Sequence, residues 1–490
     1  MAYIYRYQLG KKIYRDYYDL RENAIEIKDV LTKFFEDNIK EIVVEEKYFE
    51  FRTYTKIGNK KLQDMGRLLK DAKDSNIECG FIRKEIEYYA HITFNENEGY
   101  IKAELIEFND IENSLSLLDE EQVNKTMIIS SLDMATLIYE TEYLDESSKK
   151  IVKNINNEVF ELDNWYVVSG KSKNKEDHKS NLEIDLTNYN YENGELEGDN
   201  LILDDISDEG FSVYKIFEIP DSKKKQIKKL FGLDDISVKG CDSTILNQAN
   251  LVKAKNLVIY NVGQGLSCSI CDNNLTPVIY FDLGRGTRRN KQTTPTGLKF
   301  DFSNSPLMIL SHVDDDHWAS MREFPDSLNM KWIVPDQQPP VLLVKKYCIL
   351  SLKNNLFMLE DKCETLNVGV INSFVIFNAS GPSNLHPHNN GLNVFLELND
   401  NTRILLPGDN RYEYIENGYK ENLNILCASH HGGVYTIDRT DIKVPAADNK
   451  IIYSYGRNNS FGHPSKDVEY GIKGWNTEHR TINGDYIYGF

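Results

Sequence analysis

Apolar and polar positions follow two different rhythms along this chain. In the first half they change from segment to segment. Ile25, Ile27, Val30, Leu31, Phe34 and Phe35 recur at helical spacing and predict a helix over 20–38, and a second helical pattern runs over 62–72. Residues 41–45 and 47–54 read as strands. Residues 86–94 and 100–106 flank Asn95-Glu96-Asn97-Glu98-Gly99 and predict a hairpin. The spacing over 114–151 predicts mostly helix, which makes 1–168 an α+β domain. Residues 169–210 hold few clustered apolar positions and read as a polar linker or insertion. A short basic helix over 223–231, ending at Gly232, completes the intermediate region 169–250; a solvated face is its plain reading, and a nucleic-acid or interdomain contact the alternative.

From 256 onward, short strand-like runs follow one another at 256–260, 266–271, 277–281, 306–310, 332–334, 370–379, 394–398, 403–406, 423–428 and 451–455. Several run straight into histidine and aspartate. Phe281 is followed by Asp282, and Leu310 by Ser311-His312-Val313-Asp314-Asp315-Asp316-His317-Trp318. Leu406 leads into Pro407-Gly408-Asp409-Asn410, and Ala428 into Ser429-His430-His431-Gly432. Tyr455 leads through a polar loop to Gly462-His463-Pro464. The run at 312–317 reads H-x-D-x-D-H. Three adjacent carboxylates repel one another unless a cation neutralises them. A turn that only capped a helix would need one Asp and no flanking histidines. His312, Asp314, Asp316, His317, Asp409, His430 or His431, and His463 form a set large enough for two ions.

Composition sharpens this division. The 490 residues suffice for two to three domains, and the net charge of -19 is uneven. Residues 1–250 carry 34 Lys and Arg against 51 Asp and Glu, whereas 251–490 carry 23 against 25. The acidic half is a poor nonspecific nucleic-acid binder. Seven scattered cysteines, at 79, 241, 268, 271, 348, 363 and 427, predict reduced thiols in a cytoplasmic protein. In Cys268-Ser269-Ile270-Cys271, positions i and i+3 of a strand point to opposite faces, so both read as core thiols. No leader is visible, and no run reaches 18 apolar residues, so no membrane association is expected. The first half shows no ligand cluster, phosphate loop or nucleophile motif, and His91 reads as ordinary packing. A sensor, self-association or partner-binding role fits that half equally.

The chain from about 256 resembles the metallo-β-lactamase fold and, within it, the hydrolase domain of ComEC-like DNA-uptake (competence) proteins. The matching pieces stand in the family's order: Asn261-Val262-Gly263-Gln264-Gly265, the strand end at Asp282, H-x-D-x-D-H, Asn389-Asn390 before a strand, Gly408-Asp409, His430-His431-Gly432 and Gly462-His463-Pro464. The resemblance implies an αββα four-layer sandwich over 251–490. It implies two divalent ions, His312 and Asp314 serving the first, Asp316 and His317 the second, and Asp409 bridging. His463, or one of His430 and His431, would complete the second site, leaving another histidine toward the substrate or leaving group. Asp316, His430 and His431 would carry catalysis, and Asp282 and Asn390 would orient ligands from behind. Two departures stand out. Asp314 replaces a usual histidine, and the mid-chain histidine has no clean counterpart, although His386 and His388, just upstream of Asn389, could substitute for it. More oxygen and less nitrogen makes a harder site, open to zinc, manganese or magnesium.

The resemblance implies hydrolysis by water activated on these ions. The loop after Asp282 holds Arg285, Arg288, Arg289, Lys291 and Lys299 without an acid, which suits a phosphodiester backbone, although a solvent-facing polar loop would look the same. The expectation is a metal-dependent nuclease or phosphodiesterase acting on DNA. Its separate first half suggests a regulated enzyme and, by architecture alone, a bacterial defence or toxin effector. The alternatives are a cyclic-nucleotide or lactone hydrolase, a peptidase on the same site, and a binding protein with a defunct metal site.

Overall fold

The computed structural model describes residues 3–8, 33–34, 39–44, 48–53, 85–95, 100–119, 124–132, 134–140, 164–172, 181–185, 188–190, 195–197, 200–204, 211–219, 221–234, 236–360, 362–382, 387–433, 442, 449–475 and 477–490. The chain divides into two compact units. One comprises 1–123 and 132–230, the other 124–131 and 231–490.

The first unit holds a five-stranded antiparallel sheet in the order Phe211–Glu218, Asn164–Ser172, Glu85–Asn95, Tyr100–Glu107, Met134–Glu140. Its central hairpin follows the alternation read at 86–106, with Tyr89 opposite Ile106. A smaller sheet joins Tyr3–Gln8, Tyr48–Thr53 and Ile39–Val44. The helical expectation for 114–151 holds over Phe108–Asp119 and Lys125–Ser131, but Met134–Glu140 is an edge strand. Thr136, Ile138 and Tyr139 favour extended backbone, and pairing with Tyr100–Glu107 decides the outcome. The polar stretch 169–210 also carries strands. Its first residues finish Asn164–Ser172, and Asn181–Asp185 pairs with Asn200–Asp204. The helices expected over 62–72 and over most of 20–38 lie outside the described residues.

In the second unit, strands are labelled β1 (Lys239–Gly240), β2 (Asn256–Ile259), β3 (Cys268–Cys271), β4 (Pro277–Phe281), β5 (Leu307–Ile309), β6 (Trp332–Val334), β7 (Leu356–Met358), β8 (Lys362–Val368), β9 (Ile371–Asn378), β10 (Leu392–Leu398), β11 (Arg403–Leu406), β12 (Ile425–Cys427), β13 (Lys450–Tyr453), β14 (Glu478–Arg480) and β15 (Tyr486–Gly489). One mixed sheet runs β1-β7-β6-β5-β4-β3-β2-β15, the other β8-β9-β10-β11-β12-β13-β14. Every run expected from 256 onward is a strand. Their inner faces meet in one core, with Leu257, Ile279, Ile309 and Ile333 from the first sheet and Phe374, Val394, Ile404 and Ile425 from the second. The outer face of the second sheet packs Phe395, Leu405 and Leu426 against Tyr412, Tyr470 and Trp475. On the other sheet, helix Val341–Leu352 packs beside β7 and also against the short helix Lys125–Ser131. Cys268 faces the inter-sheet core, whereas Cys271 lies beside Ser269 at the opposite face.

This topology gathers strand ends. β4 and β5 are parallel, so Asp282 and Ser311 emerge at one end. β11, β12 and β13 are also parallel, so the residues after Leu406, Cys427 and Tyr453 emerge together. The two sheets are joined at this edge by Leu392 N–H donating to Ser311 O at 2.6 Å and by the Ser454 hydroxyl donating to Gly265 O at 2.8 Å. Gly284 lets the chain pass beneath the turn after β5, since a Cβ there would overlap the carbonyl oxygens of Asp316 and Leu266. Gly408 takes φ 57 and leaves room for Ser311. Replacing Gly284 by Ala forces backbone to shift. The expected cost is about 1–3 kcal/mol, seen as a lower thermal midpoint for the second unit. An unchanged midpoint would contradict the close approach.

Candidate metal centre

The turn after β5 is held from behind. Asp282 is fully buried with φ 63. Its Oδ1 accepts from Ser311 N at 2.6 Å, and its Oδ2 accepts from Ser311 Oγ at 2.7 Å and His317 Nδ1 at 2.7 Å. The single Ser311 hydroxyl proton is committed to Asp282, so the oxygen accepts from His312 Nδ1 at 2.9 Å. His431 Nδ1 donates to Ser454 O at 2.6 Å. In the neutral imidazoles of His312, His317 and His431, Nδ1 therefore carries the proton and Nε2 presents a lone pair. A carboxylate, hydroxyl or carbonyl behind a ligating histidine is the usual means of fixing it toward a metal.

Those Nε2 atoms converge on carboxylates in two groups. In one, His312 Nε2 lies 3.4 Å from Asp314 Oδ2 and 3.9 Å from Asp409 Oδ2. His388 Nε2 lies 2.9 Å from Asp314 Oδ2 and 3.7 Å from Asp409 Oδ2. In the other, His317 Nε2 lies 3.1 Å from Asp409 Oδ1 and 4.0 Å from Asp316 Oδ1. His431 Nε2 lies 3.2 Å from Asp316 Oδ2 and 3.8 Å from Asp409 Oδ1. Asp409 thus turns one oxygen to each group. His312, His388 and Asp409, and separately Asp316, His317 and His431, bring one donor atom each within 4.8 Å of one another.

The donors fit a cation. Ligands on a tetrahedral ion with bonds of ~2.1 Å stand roughly 3.4 Å apart, and the nitrogen–oxygen separations here run from 2.9 to 4.0 Å around that value. Among the described residues, Nε2 of His312, His317 and His431 and Oδ1 of Asp409 are buried yet make no hydrogen bond. Buried polar atoms are rarely left so.

The charges agree. Burial disfavours ionised Asp316, but the imidazoles of His317 and His431 outweigh it and hold its carboxyl at about 2. Asp409 is buried too, and His317, His431 and His430 hold its carboxyl well below the usual range. Burial opposes charge on His317, yet Asp409, Asp282 and Asp316 push its pKa well above the ordinary value. The carboxylates favour positive charge beside them, and a divalent ion would supply it without those protons.

Other sequence candidates fall around the groups. His430 is half-buried with φ 49, its Nε2 3.9 Å from Asp409 Oδ2, and burial pushes its pKa down to about 4. The structure does not bring His463 into either group. It stands alongside, its ring stacked on His431 at 5.8 Å. Asn390 accepts from Gln337 Nε2 at 3.0 Å, and Gln337 Oε1 accepts from Val313 N at 3.2 Å, so it steadies the ligand turn through Gln337. His388, only an option in the sequence beside His386, is the mid-chain histidine that reaches the cluster. His386 lies outside the described residues. Arg285 is paired with Glu323. Lys291 is exposed, and Arg288 opens the 3-10 turn Arg288–Thr293 that also contains Arg289. Ser311 and Asn410 had no distinguishing pattern. Asn410 Oδ1 accepts from Gly391 N at 2.9 Å, and its amide donates to Pro407 O at 2.9 Å.

No family model and no curated protein matches the chain. Among solved structures, the chain is similar to Zn(2+)-bound PqqB from Methylobacterium extorquens at 12% identity and a TM-score of 0.29, over 48% of this chain and 100% of that one. Among the described residues, no helix is long and apolar enough to cross a membrane.

The shared carboxylate makes a specific prediction for metal analysis. Asp409→Ala should lose both ions, whereas His388→Ala should lose one and keep the other. Asp282→Asn should weaken metal affinity by about 10–100-fold. Full metal content in Asp409→Ala would contradict the arrangement.

Proposed function

We propose that 251–490 is a hydrolase domain of the metallo-β-lactamase type, an αββα four-layer sandwich, that cleaves phosphodiesters, with DNA as the first candidate. The observation that carries this reading is Asp409 facing two histidine–aspartate groups at once. His312, Asp314, His388 and Asp409 would hold one divalent ion, and Asp316, His317, His431 and Asp409 the other. Each set offers two nitrogens and two carboxylates, a mixture that suits zinc or manganese. Bound there, such ions lower the pKa of water toward neutrality and polarise a phosphoryl or acyl oxygen.

The chain's own residues do the rest. Asp282, Ser311 and Ser454 hold three imidazoles with their lone pairs inward. His430 is depressed to about 4, so it is neutral near pH 7 and presents a hydrogen-bonding edge without adding charge. Asp314 and Asp316 keep 31% and 20% of their side chains exposed, which leaves the groups reachable from solvent. Arg288, Arg289 and Lys291 are the proposed phosphate contacts. The first unit is proposed as a regulatory or partner-binding module, consistent with a defence or toxin effector. One observation favours a small-molecule substrate, a cyclic nucleotide or lactone, instead. Arg285, the basic residue nearest Asp282 in sequence, is engaged by Glu323.

Plasmid DNA, single-stranded DNA, a cyclic dinucleotide and a lactone, each with zinc or manganese, separate these readings. The expected result is metal-dependent DNA cleavage that falls by more than about 100-fold in His317→Ala. Metal-loaded wild type that leaves all nucleic acid intact would overturn the nuclease reading.

A further inference from the structure

His463 and the loop 261–265 remain unexplained by the ligand groups, and the structure ties them together. Gln264 is buried, 1% exposed. Its Oε1 accepts from Gly456 N at 3.4 Å, which turns its Nε2 toward His463 Nδ1 at 3.0 Å. An amide nitrogen only donates, so His463 Nδ1 is the acceptor and, in the neutral ring, Nε2 carries the proton. This is the reverse of His312, His317 and His431, whose Nδ1 atoms donate. An imidazole whose Nε2 is protonated and whose Nδ1 is occupied has no lone pair to offer a metal.

The placement of this ring is heavily determined. Asn459 Oδ1 accepts from His463 N at 2.9 Å, and Asn459 Nδ2 donates to His463 O at 2.8 Å. Asn290 binds Ser460 twice, through Nδ2 to Oγ at 3.0 Å and from Ser460 N to Oδ1 at 2.7 Å. Thr293 Oγ1 accepts from Gln264 N at 2.8 Å. The basic loop, the 456–463 loop and Gln264 therefore form one assembly. The half-buried ring lies against His431 and meets His430 edge-on at 5.2 Å. Its Nε2 edge rests over Gly433, where a Cβ would stand 2.6 Å away. A protonated nitrogen is thus held at the rim of the candidate metal centre, beside the ligands rather than among them.

We propose that His463 is a fixed hydrogen-bond donor to an anionic oxygen of the substrate, a phosphoryl oxygen if the function above holds, and that Gln264 is the positioning residue that sets its tautomer. The inference rests on that functional reading for the identity of the substrate, but not for the tautomer or the anion contact. A single preorganised donor of this kind is typically worth about 10²–10³ in kcat.

The test uses zinc-loaded full-length protein with 15N-labelled histidine. His463, assigned by comparison with His463→Gln, should show a bare Nδ1 and a protonated Nε2, and inorganic phosphate should shift that signal. Gln264→Leu should abolish the tautomer preference while metal content stays at the wild-type level. His463→Ala should keep its metal and lose about 100-fold in kcat on a phosphodiester, with His463→Gln recovering part of the loss through its own N–H. Loss of metal in His463→Ala, a protonated Nδ1 in the wild type, or indifference to phosphate would each overturn the proposal. A phosphate shift in a protein that cleaves no phosphodiester would sink the nuclease reading and leave this one standing.

Discussion

Buried negative charge is the constraint around which the second unit is arranged. Asp282 and Asp409 are buried at the same edge of the two sheets, and Asp314 and Asp316 are mostly covered beside them. Uncompensated carboxylates are costly there. Asp282 is satisfied by three hydrogen-bond donors from Ser311 and His317. Asp409 is not. Among the described residues its ion-pair partners are the imidazoles of His312, His317, His388, His430 and His431, and its Oδ1 is buried without a hydrogen bond. The two carboxylates have different tasks. One is engaged by the protein's own donors and fixes His317, whereas the other lies between two groups whose donor atoms could hold a metal ion.

The fold exists in the form that meets this requirement. Parallel neighbours β4 and β5, and β11 to β13, send their following loops to one edge. Backbone contacts then fix the loops at close range. Leu283 N–H donates to His317 O at 2.9 Å and Leu266 N–H to Asp316 O at 3.3 Å, an approach that Gly284 permits. His430 and His431 take left-handed backbone, with φ 49 and 57, to face the cluster in succession. Such conformations are typical of functional sites, where the surroundings enforce them.

Most strands from 256 were readable because each is a short run dominated by apolar residues, and the H-x-D-x-D-H turn was readable because four donors share six residues. Other parts carried weaker signals. Helix Val341–Leu352 is apolar nearly all round, so its period does not stand out. Strand β8 lies at a sheet edge and is largely uncovered, so Lys362–Val368 lacks clean alternation. His388 could not be ranked against His386 because its reach depends on how the loop closes before β10. The place of His463 beside the groups depends on Gln264, nearly two hundred residues away, which no local pattern encodes. The basic loop read as free cations, yet Arg285 has a carboxylate partner from a separate segment.

The central claim is that Asp409 joins two cation sites. Anomalous diffraction from zinc-soaked crystals tests it directly. The expected map has two peaks about 3.5–4 Å apart, one beside His312 and His388 and one beside His317 and His431, with Asp409 between them. A single peak, or peaks that leave Asp409 uncoordinated, would contradict the account.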